Sequence, residues 1–216
     1  MNVPLPKVAI RLPSGDMVHA DFAMALAGLC NSTPPLDTPI VNVKSSIIAI
    51  ARNNAVKRAR QLAADYLFFL DSDMVFPRTT LHRLLIHRKD IVGATYPRRV
   101  PPYSAIGSAL EINPTCDAVG LTEMKHMPTG CLLIRMAVFD ALSEPHFRFL
   151  SDESTGVVFG EDYVFCDRAR EAGFRIWCDT VLSREIGHIG QMTSRITGDR
   201  SAGPKGAGLS ADRALT

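Results

Sequence analysis

Short apolar runs alternate with segments of helical periodicity through the first hundred residues of the chain. The runs predict β-strands at 8–12, 40–43, 66–70 and 91–95. Apolar residues recur at helical spacing between the runs, which predicts helices at 21–29, at 45–64 and after Pro77. The run Tyr66-Leu-Phe-Phe-Leu70 is apolar on both faces, as is typical of a central strand in a sheet that is covered on both sides. This alternation predicts an α/β fold, with a mostly parallel central sheet flanked by helices.

The pattern becomes less regular in the second half, where Pro97, Pro101 and Pro102 interrupt it. The short segments 104–110 and 118–124 predict a small antiparallel element. Further along, the sequence predicts strands at 131–135 and 174–178 and helices at 136–142 and 161–172. Gly173 directly follows the predicted helix at 161–172, at the position where helices commonly end with a residue in the left-handed conformation. The final residues, 198–216, are rich in Gly, Ala and Ser without a hydrophobic period, so we expect a flexible tail there.

Composition and charge narrow the class of protein. Of 216 residues, 46% are hydrophobic and 21% charged, which excludes an intrinsically disordered chain. The 24 basic and 22 acidic side chains nearly cancel, so nucleic acid is not an expected partner. Five scattered cysteines without a CxxC pair argue against a disulfide framework. The longest early apolar stretch, 22–30, is too short to span a bilayer, and we therefore expect a soluble, cytoplasmic protein with no integral membrane segment.

Two carboxylates stand directly after the apolar run at 66–70, namely Asp71 and Asp73, with Ser72 between them. In open α/β sheets, ligands bind just beyond the carboxyl ends of the strands. Two carboxylates with one residue between them on an extended segment can share a divalent cation, since Mg²⁺ and Mn²⁺ prefer such oxygen ligands. The alternative interpretation is a surface turn that ends the strand.

The segment Phe68-Phe-Leu-Asp-Ser-Asp-Met74 resembles the DxD motif of GT-A-type glycosyltransferases, including the small bacterial and viral kind. Four other segments are similar to motifs of that family, one before the DxD segment and three after it, in the order of the family: Ala51-Arg-Asn53, Met127–Arg135, Gly160-Glu-Asp162 and Gly187-His-Ile189. The resemblance implies one GT-A-like, Rossmann-like domain over residues 1–197. Its nucleotide-sugar half would be at about 8–100 and its acceptor half at about 101–197. It also implies a hexosyltransferase that takes its sugar from a nucleotide-diphosphate donor and delivers it to a hydroxyl of a glycan or another acceptor. The donor is UDP- or GDP-linked, with a UDP-sugar favoured.

The same resemblance implies a donor and metal site. Asp71, Asp73 and His188 would hold Mn²⁺, or Mg²⁺, against the donor diphosphate; an imidazole ligand favours manganese. Arg52 would contact the diphosphate, because a planar guanidinium suits phosphate oxygens. Ser72 would also contact the donor, and the nucleotide base would lie at Ser14. The alternatives without a binding role are that Arg52 lies on a solvated helix face and that His188 lies in an exposed glycine-rich loop.

Two acidic residues that open the helix at 161–172 are the catalytic candidates. By resemblance, Asp162 is the general base that accepts the proton of the acceptor hydroxyl, and Glu161 is the reserve. A carboxylate in the first turn of a helix is also stabilised by the helix dipole, by about 0.3–1 kcal/mol, without any catalytic role.

Other functions remain open at this level. A haloacid-dehalogenase-like phosphatase also places a DxD motif after an apolar strand, and Val75 fits its pattern. A nucleotidyltransferase requires a glycine-rich loop after the first strand, for which Leu12-Pro-Ser-Gly15 is too poor in glycine. A module of the same fold that binds nucleotide sugar or carbohydrate without catalysis is the non-enzymatic alternative.

Overall fold

The structure is a computed structural model that describes residues 5–13, 17–32, 35–111, 117 and 120–190. The strands are β1 Val8–Leu12, β2 Ile40–Asn42, β3 Tyr66–Leu70, β4 Met74–Val75, β5 Ile91–Gly93, β6 Ser108–Ala109, β7 Leu121–His126, β8 Cys131–Arg135, β9 Leu150–Asp152, β10 Val157–Phe159, β11 Ile176–Asp179 and β12 Gly187–His188. The helices are α1 Ala20–Cys30, α2 Ile48–Gln61, α3 Thr80–Ile86, α4 Met136–Ala141, α5 Glu161–Glu171 and α6 Thr180–Ser183. Ser14 and the predicted tail at 198–216 lie outside the described residues.

Eight strands form the central sheet in the order β2-β1-β3-β8-β5-β11-β7-β6. The pairs β1–β2, β1–β3 and β5–β11 are parallel. The pairs that involve β8 or β7 are antiparallel. Six strands therefore point one way, and only β8 and β7 point the other way. The α/β class is confirmed, but the sheet is mixed, because β8 lies antiparallel between β3 and β5.

The antiparallel element predicted for the second half is the pair β6–β7, which forms one edge of the central sheet. Two further small ladders lie outside that sheet. The hairpin β9–β10 immediately precedes α5, and most of its apolar side chains are exposed. The ladder β4–β12 pairs His188 with Met74, which places the end of the described chain beside the segment that follows β3.

The core is divided by the sheet into two layers, and β3 contributes to both. Leu67 and Phe69 pack in the layer that contains α2, α4 and α5. Phe68 and Leu70 pack in the layer that contains α1 and α3. All four side chains are fully buried, which explains why this strand is apolar at every position.

Two helix boundaries show how α2 begins and how α5 ends. Helix α2 begins at Ile48, and the hydroxyl of Ser45 accepts the N–H of Ile47 at 3.1 Å instead of capping the helix. Helix α5 is followed by Gly173 at φ +90°, so the predicted left-handed C-terminal residue is confirmed. Within the described ranges, none of the helices has both the length and the apolar character needed to cross a bilayer.

Candidate functional site

Asp71 is hydrogen-bonded through its backbone to the sheet and through its carboxylate to the buried side chain of Arg11. Its backbone N–H donates to the carbonyl of Gly130 at 3.1 Å, which continues the pairing of β3 with β8. Its Oδ1 accepts a hydrogen bond from Nη1 of Arg11 at 3.2 Å. The Arg11 side chain is fully buried, whereas the Asp71 side chain is 25% exposed. Asp71 is therefore the counterion of a guanidinium inside the protein.

Arg11 is one of the site residues that the sequence analysis missed. It lies in β1, and its pKa is lowered to about 10, chiefly by burial; Asp71 opposes this shift and Arg52 adds to it. Its Nε and Nη2 have no hydrogen-bond partner among the described residues. Buried donors are normally satisfied, so unpartnered ones require an explanation such as a bound water, an ion or a catalytic role. A signal was present in the sequence, since Arg11 is the only charged residue in an otherwise apolar predicted strand.

Arg52 connects helix α2 to the start of α5. Its side chain is buried and forms an ion pair with Glu161 through Nη1 and Oε1, and its guanidinium lies 5.9 Å from the ring centre of Phe147. The alternative of a solvated helix face does not hold for Arg52, although it does hold for the exposed basic residues at 57, 58 and 60. Glu161 is also buried, so its carboxylate is committed to Arg52.

The second carboxylate of the motif, Asp73, lies beside His188. Oδ2 of Asp73 is 3.5 Å from Nε2 of His188. The backbone holds the two residues together, because the N–H of Ile189 donates to the carbonyl of Asp73 at 2.7 Å. The structure thus brings together two of the three predicted metal ligands, from positions far apart in the sequence.

The hydrogen bonds of His188 define which ring nitrogen carries the proton. Nδ1 lies 2.9 Å from the carbonyl oxygen of Pro97, which can only accept, so Nδ1 must be protonated. Nε2 accepts a hydrogen bond from Nε of Arg99 at 2.9 Å and keeps its lone pair. The pKa of His188 is lowered, first by burial and also by Arg99. A neutral imidazole with its second nitrogen held by a carbonyl is the form that binds metals.

Arg99 occupies the position between the two candidate ligands. Besides the hydrogen bond to His188, its Nη2 forms an ion pair with Oδ2 of Asp73. The other oxygen, Oδ1 of Asp73, is buried and has no partner among the described residues. A carboxylate oxygen and an imidazole lone pair thus lie side by side, and both already bind a cationic group. These two ligands fit a divalent cation as well. No group of three His, Cys, Asp or Glu side chains suited to a metal occurs in the described ranges. The third predicted ligand, Asp71, is hydrogen-bonded to Arg11.

Tyr96 and Gly130 lie beneath these charged residues. The hydroxyl of Tyr96 accepts the N–H of Gly130 at 3.0 Å, and its ring packs edge-on against His188 with centres 5.0 Å apart. Burial, with a smaller contribution from Asp71, raises the pKa of Tyr96. A Cβ at position 130 would lie 2.6 Å from Cζ of Tyr96, so only glycine allows this contact.

The remaining candidates differ in how they are held. Asp162 is half-buried at the start of α5, and its Oδ1 accepts the N–H of Tyr163 at 2.9 Å. Unlike Glu161, it forms no ion pair with a described residue. Ser72 is half-buried between the two carboxylates. The prediction for Ser14 falls outside the described part of the chain.

Comparison with known proteins identifies the fold. No protein-family model matches the sequence, and no curated protein matches it. Among solved structures, A197 from STIV is 15% identical with a TM-score of 0.57, over 89% of this chain and 99% of that one. The mannosyltransferase PcManGT from Pyrobaculum calidifontis, solved with GDP-Man and Mn²⁺, is 13% identical with a TM-score of 0.56, over 89% of this chain and 59% of that one. The chain therefore has a glycosyltransferase-like fold and spans only part of the length of that enzyme.

Proposed function

We propose that this protein is a metal-dependent glycosyltransferase that moves a sugar from a nucleoside-diphosphate sugar to an acceptor hydroxyl. The observation that carries the proposal is the pairing of Asp73 with the unprotonated Nε2 of His188 at the carboxyl end of β3. Ligands of open α/β sheets bind at this edge. The shared fold with a mannosyltransferase solved with GDP-Man and Mn²⁺ supports the same reaction class.

In this proposal the donor diphosphate binds over the edge formed by β1 and β3. When bound at Asp73 and His188, Mn²⁺ or Mg²⁺ supplies positive charge that stabilises the leaving diphosphate. Asp71 completes the predicted ligand set if its carboxylate turns from Arg11 towards the same cation. Arg11 and Arg52 lie below, each paired with a carboxylate, so they would act on the diphosphate at short range as hydrogen-bond donors and not through a net positive charge.

Asp162 is proposed as the general base, with Glu161 as the reserve; the ion pair of Glu161 with Arg52 supports giving Asp162 the first place. The acceptor oxygen forms a bond to the anomeric carbon while its proton passes to the Asp162 carboxylate. The bond between the anomeric carbon and the diphosphate oxygen breaks, and its electron pair leaves with the diphosphate. Ser72 and Ser14 are proposed to contact the donor, at the diphosphate and the nucleotide base respectively.

Two donor classes are proposed in parallel. The resemblance of the sequence motifs favours a UDP-sugar, whereas the mannosyltransferase that shares the fold was solved with a GDP-sugar. None of the described side chains at the site selects one base, so both nucleotides belong in the test.

The decisive experiment is calorimetric titration of GDP and UDP in the presence and absence of Mn²⁺, with wild type, Asp73→Asn and Asp162→Asn. We expect Asp73→Asn to weaken metal-dependent nucleotide binding by about 10–100-fold, because an amide is a far poorer metal ligand than a carboxylate. Asp162→Asn is the matched control, since the proposed base acts on the acceptor and not on the nucleotide. It should bind as wild type does.

Three results would contradict the proposal. Unchanged affinity in Asp73→Asn would remove the metal assignment. Release of phosphate from an aryl phosphate, abolished by Asp71→Asn, would indicate the phosphatase instead. Metal-dependent nucleotide binding without turnover of any donor, even by hydrolysis, would indicate a binding module that has lost catalysis.

A further inference from the structure

We propose that Arg99 is an exchangeable counterion: it holds the place of the divalent cation in the metal-free protein and thereby sets the affinity for metal. This inference rests on the metal site of the proposed function. It concerns a residue that neither the sequence motifs nor the comparisons single out.

The geometry of the Arg99 guanidinium is that of a competitor for the metal. Nε donates to Nε2 of His188 at 2.9 Å, and Nη2 pairs with Oδ2 of Asp73. These are the same two atoms that would coordinate a cation, and they lie 3.5 Å apart. A guanidinium and a metal ion cannot both use the lone pair of Nε2.

Arg99 belongs to a loop that we call the basic arm, residues 97–105. The arm is closed at its base by a bridge between Pro97 and Ala105 and by the N–H of Arg98, which donates to the carbonyl of Ser104 at 2.9 Å. Every residue from 98 to 105 is exposed. The Arg99 side chain is itself 53% exposed, so it can move into solvent without unpacking the core.

The two partners of Arg99 cannot follow it. The Asp73 side chain is only 18% exposed and that of His188 only 10%. A carboxylate left alone in such surroundings is costly, so the pocket requires a cation at all times. The guanidinium satisfies only part of this need, because Oδ1 of Asp73 remains without a partner. A divalent cation brings twice the charge, which favours exchange once metal is present.

The test is a Mn²⁺ titration of the full chain without nucleotide, followed by the electron paramagnetic resonance signal of free Mn²⁺. We expect Arg99→Gln to bind Mn²⁺ about ten-fold more tightly than wild type, because two charge-assisted contacts no longer have to be broken. Arg98→Gln removes the same charge from the neighbouring position of the basic arm and is the matched control. It should leave the affinity within about two-fold, since exposed charges are largely screened at physiological salt.

Arg99→Lys provides a second, more conservative variant. Its single ammonium keeps the charge but cannot reproduce the fork that spans Asp73 and His188, so we expect an intermediate affinity. Equal Mn²⁺ affinity in wild type and Arg99→Gln would overturn the inference while leaving the proposed metal site intact. Weaker binding in Arg99→Gln would also overturn it, because Arg99 would then support the metal. Absence of Mn²⁺ binding from both proteins would overturn the inference and the metal dependence together.

Discussion

Asp71 and Asp73 stand two residues apart in one motif, yet their carboxylates have different partners. Asp71 neutralises a guanidinium that has no access to water, whereas Asp73 faces His188 and the exposed side chain of Arg99. The first carboxylate therefore contributes to stability as the structure stands, and the second is the better candidate for ligand binding.

We expect mutation of Asp71 to reduce the free energy of unfolding more than mutation of its partner Arg11 does. Asp71→Ala leaves a fully buried cation without its counterion, and we expect the free energy of unfolding to fall by about 3–5 kcal/mol. Arg11→Met leaves a carboxylate that is 25% exposed and can reach water, and it also removes the repulsion between Arg11 and Arg52. We expect a clearly smaller loss. Urea denaturation of both variants measures the difference, and an equal or reversed order would show that the pair does not act as described.

At the scale of single residues, sequence motifs located the candidates but not their partners. The DxD spacing indicated a metal site, and the resemblance of Gly187-His-Ile189 to a family motif added His188; the structure joins two of the three predicted ligands. Nothing in the sequence indicated that Arg99 lies on them, because a charged residue among prolines has no periodicity from which a contact follows. Arg11 was overlooked because the strand was predicted from its apolar residues, and one charged residue among them does not change that prediction.

Among the elements, β8 decides the architecture of the site. It pairs antiparallel with both β3 and β5, and its first residue follows Gly130, which carries the contacts of Tyr96 and Asp71. The close packing of β5 against β8 depends on Gly93. A Cβ at that position would meet the carbonyl oxygen of Cys131 and would lie 2.8 Å from Cδ1 of Leu132.

Gly93→Ala should therefore destabilise the sheet at this junction. We expect a loss of about 1–3 kcal/mol, typical of overpacking in a core, since backbone atoms of β8 cannot move aside as a flexible side chain can. Gly28→Ala is the matched control: it lies in helix α1, and its nearest neighbour would be 3.6 Å away. Because alanine has a higher helix propensity than glycine, the free energy of unfolding of that variant should rise by up to about 1 kcal/mol. Thermal and urea unfolding report both, and equal stability of the two variants would contradict this view of the junction.

Most elements were predictable from periodicity, because the pattern of apolar residues within a segment indicates whether that segment is a strand or a helix. β1, β3 and β8 have the predicted bounds, and α5 ends one residue early. Strand direction was not predictable in the same way. The apolar pattern of 131–135 is the same for a parallel or an antiparallel neighbour, so the insertion of β8 between β3 and β5 emerged only from the pairing. The hairpin β9–β10 is short and largely exposed, and therefore gave no periodic signal.

For the molecule as a whole, stability should depend on pH through a histidine outside the site. His146 is buried, its Nε2 donates to the carbonyl of Phe139 at 2.9 Å, and its pKa is lowered from 6.5, chiefly by burial. The unfolded chain then binds a proton more readily than the folded one, so the free energy of unfolding decreases as pH falls below about 6.5. In His146→Gln, which keeps a donor but does not titrate, the melting temperature should fall less between pH 7 and pH 5. Parallel pH profiles for the two proteins would show that His146 does not contribute.

The buried ion pairs have a consequence for how binding responds to ionic strength. Arg11 with Asp71 and Arg52 with Glu161 are two cations and two anions, so the cluster beneath the site carries no net charge. The chain as a whole is nearly neutral as well, with 24 basic and 22 acidic residues. In the proposed function, a donor diphosphate therefore meets little long-range attraction from the net charge of the protein. We expect its capture to depend on a divalent cation that arrives with it or is already bound, so that metal concentration affects occupancy more than salt does.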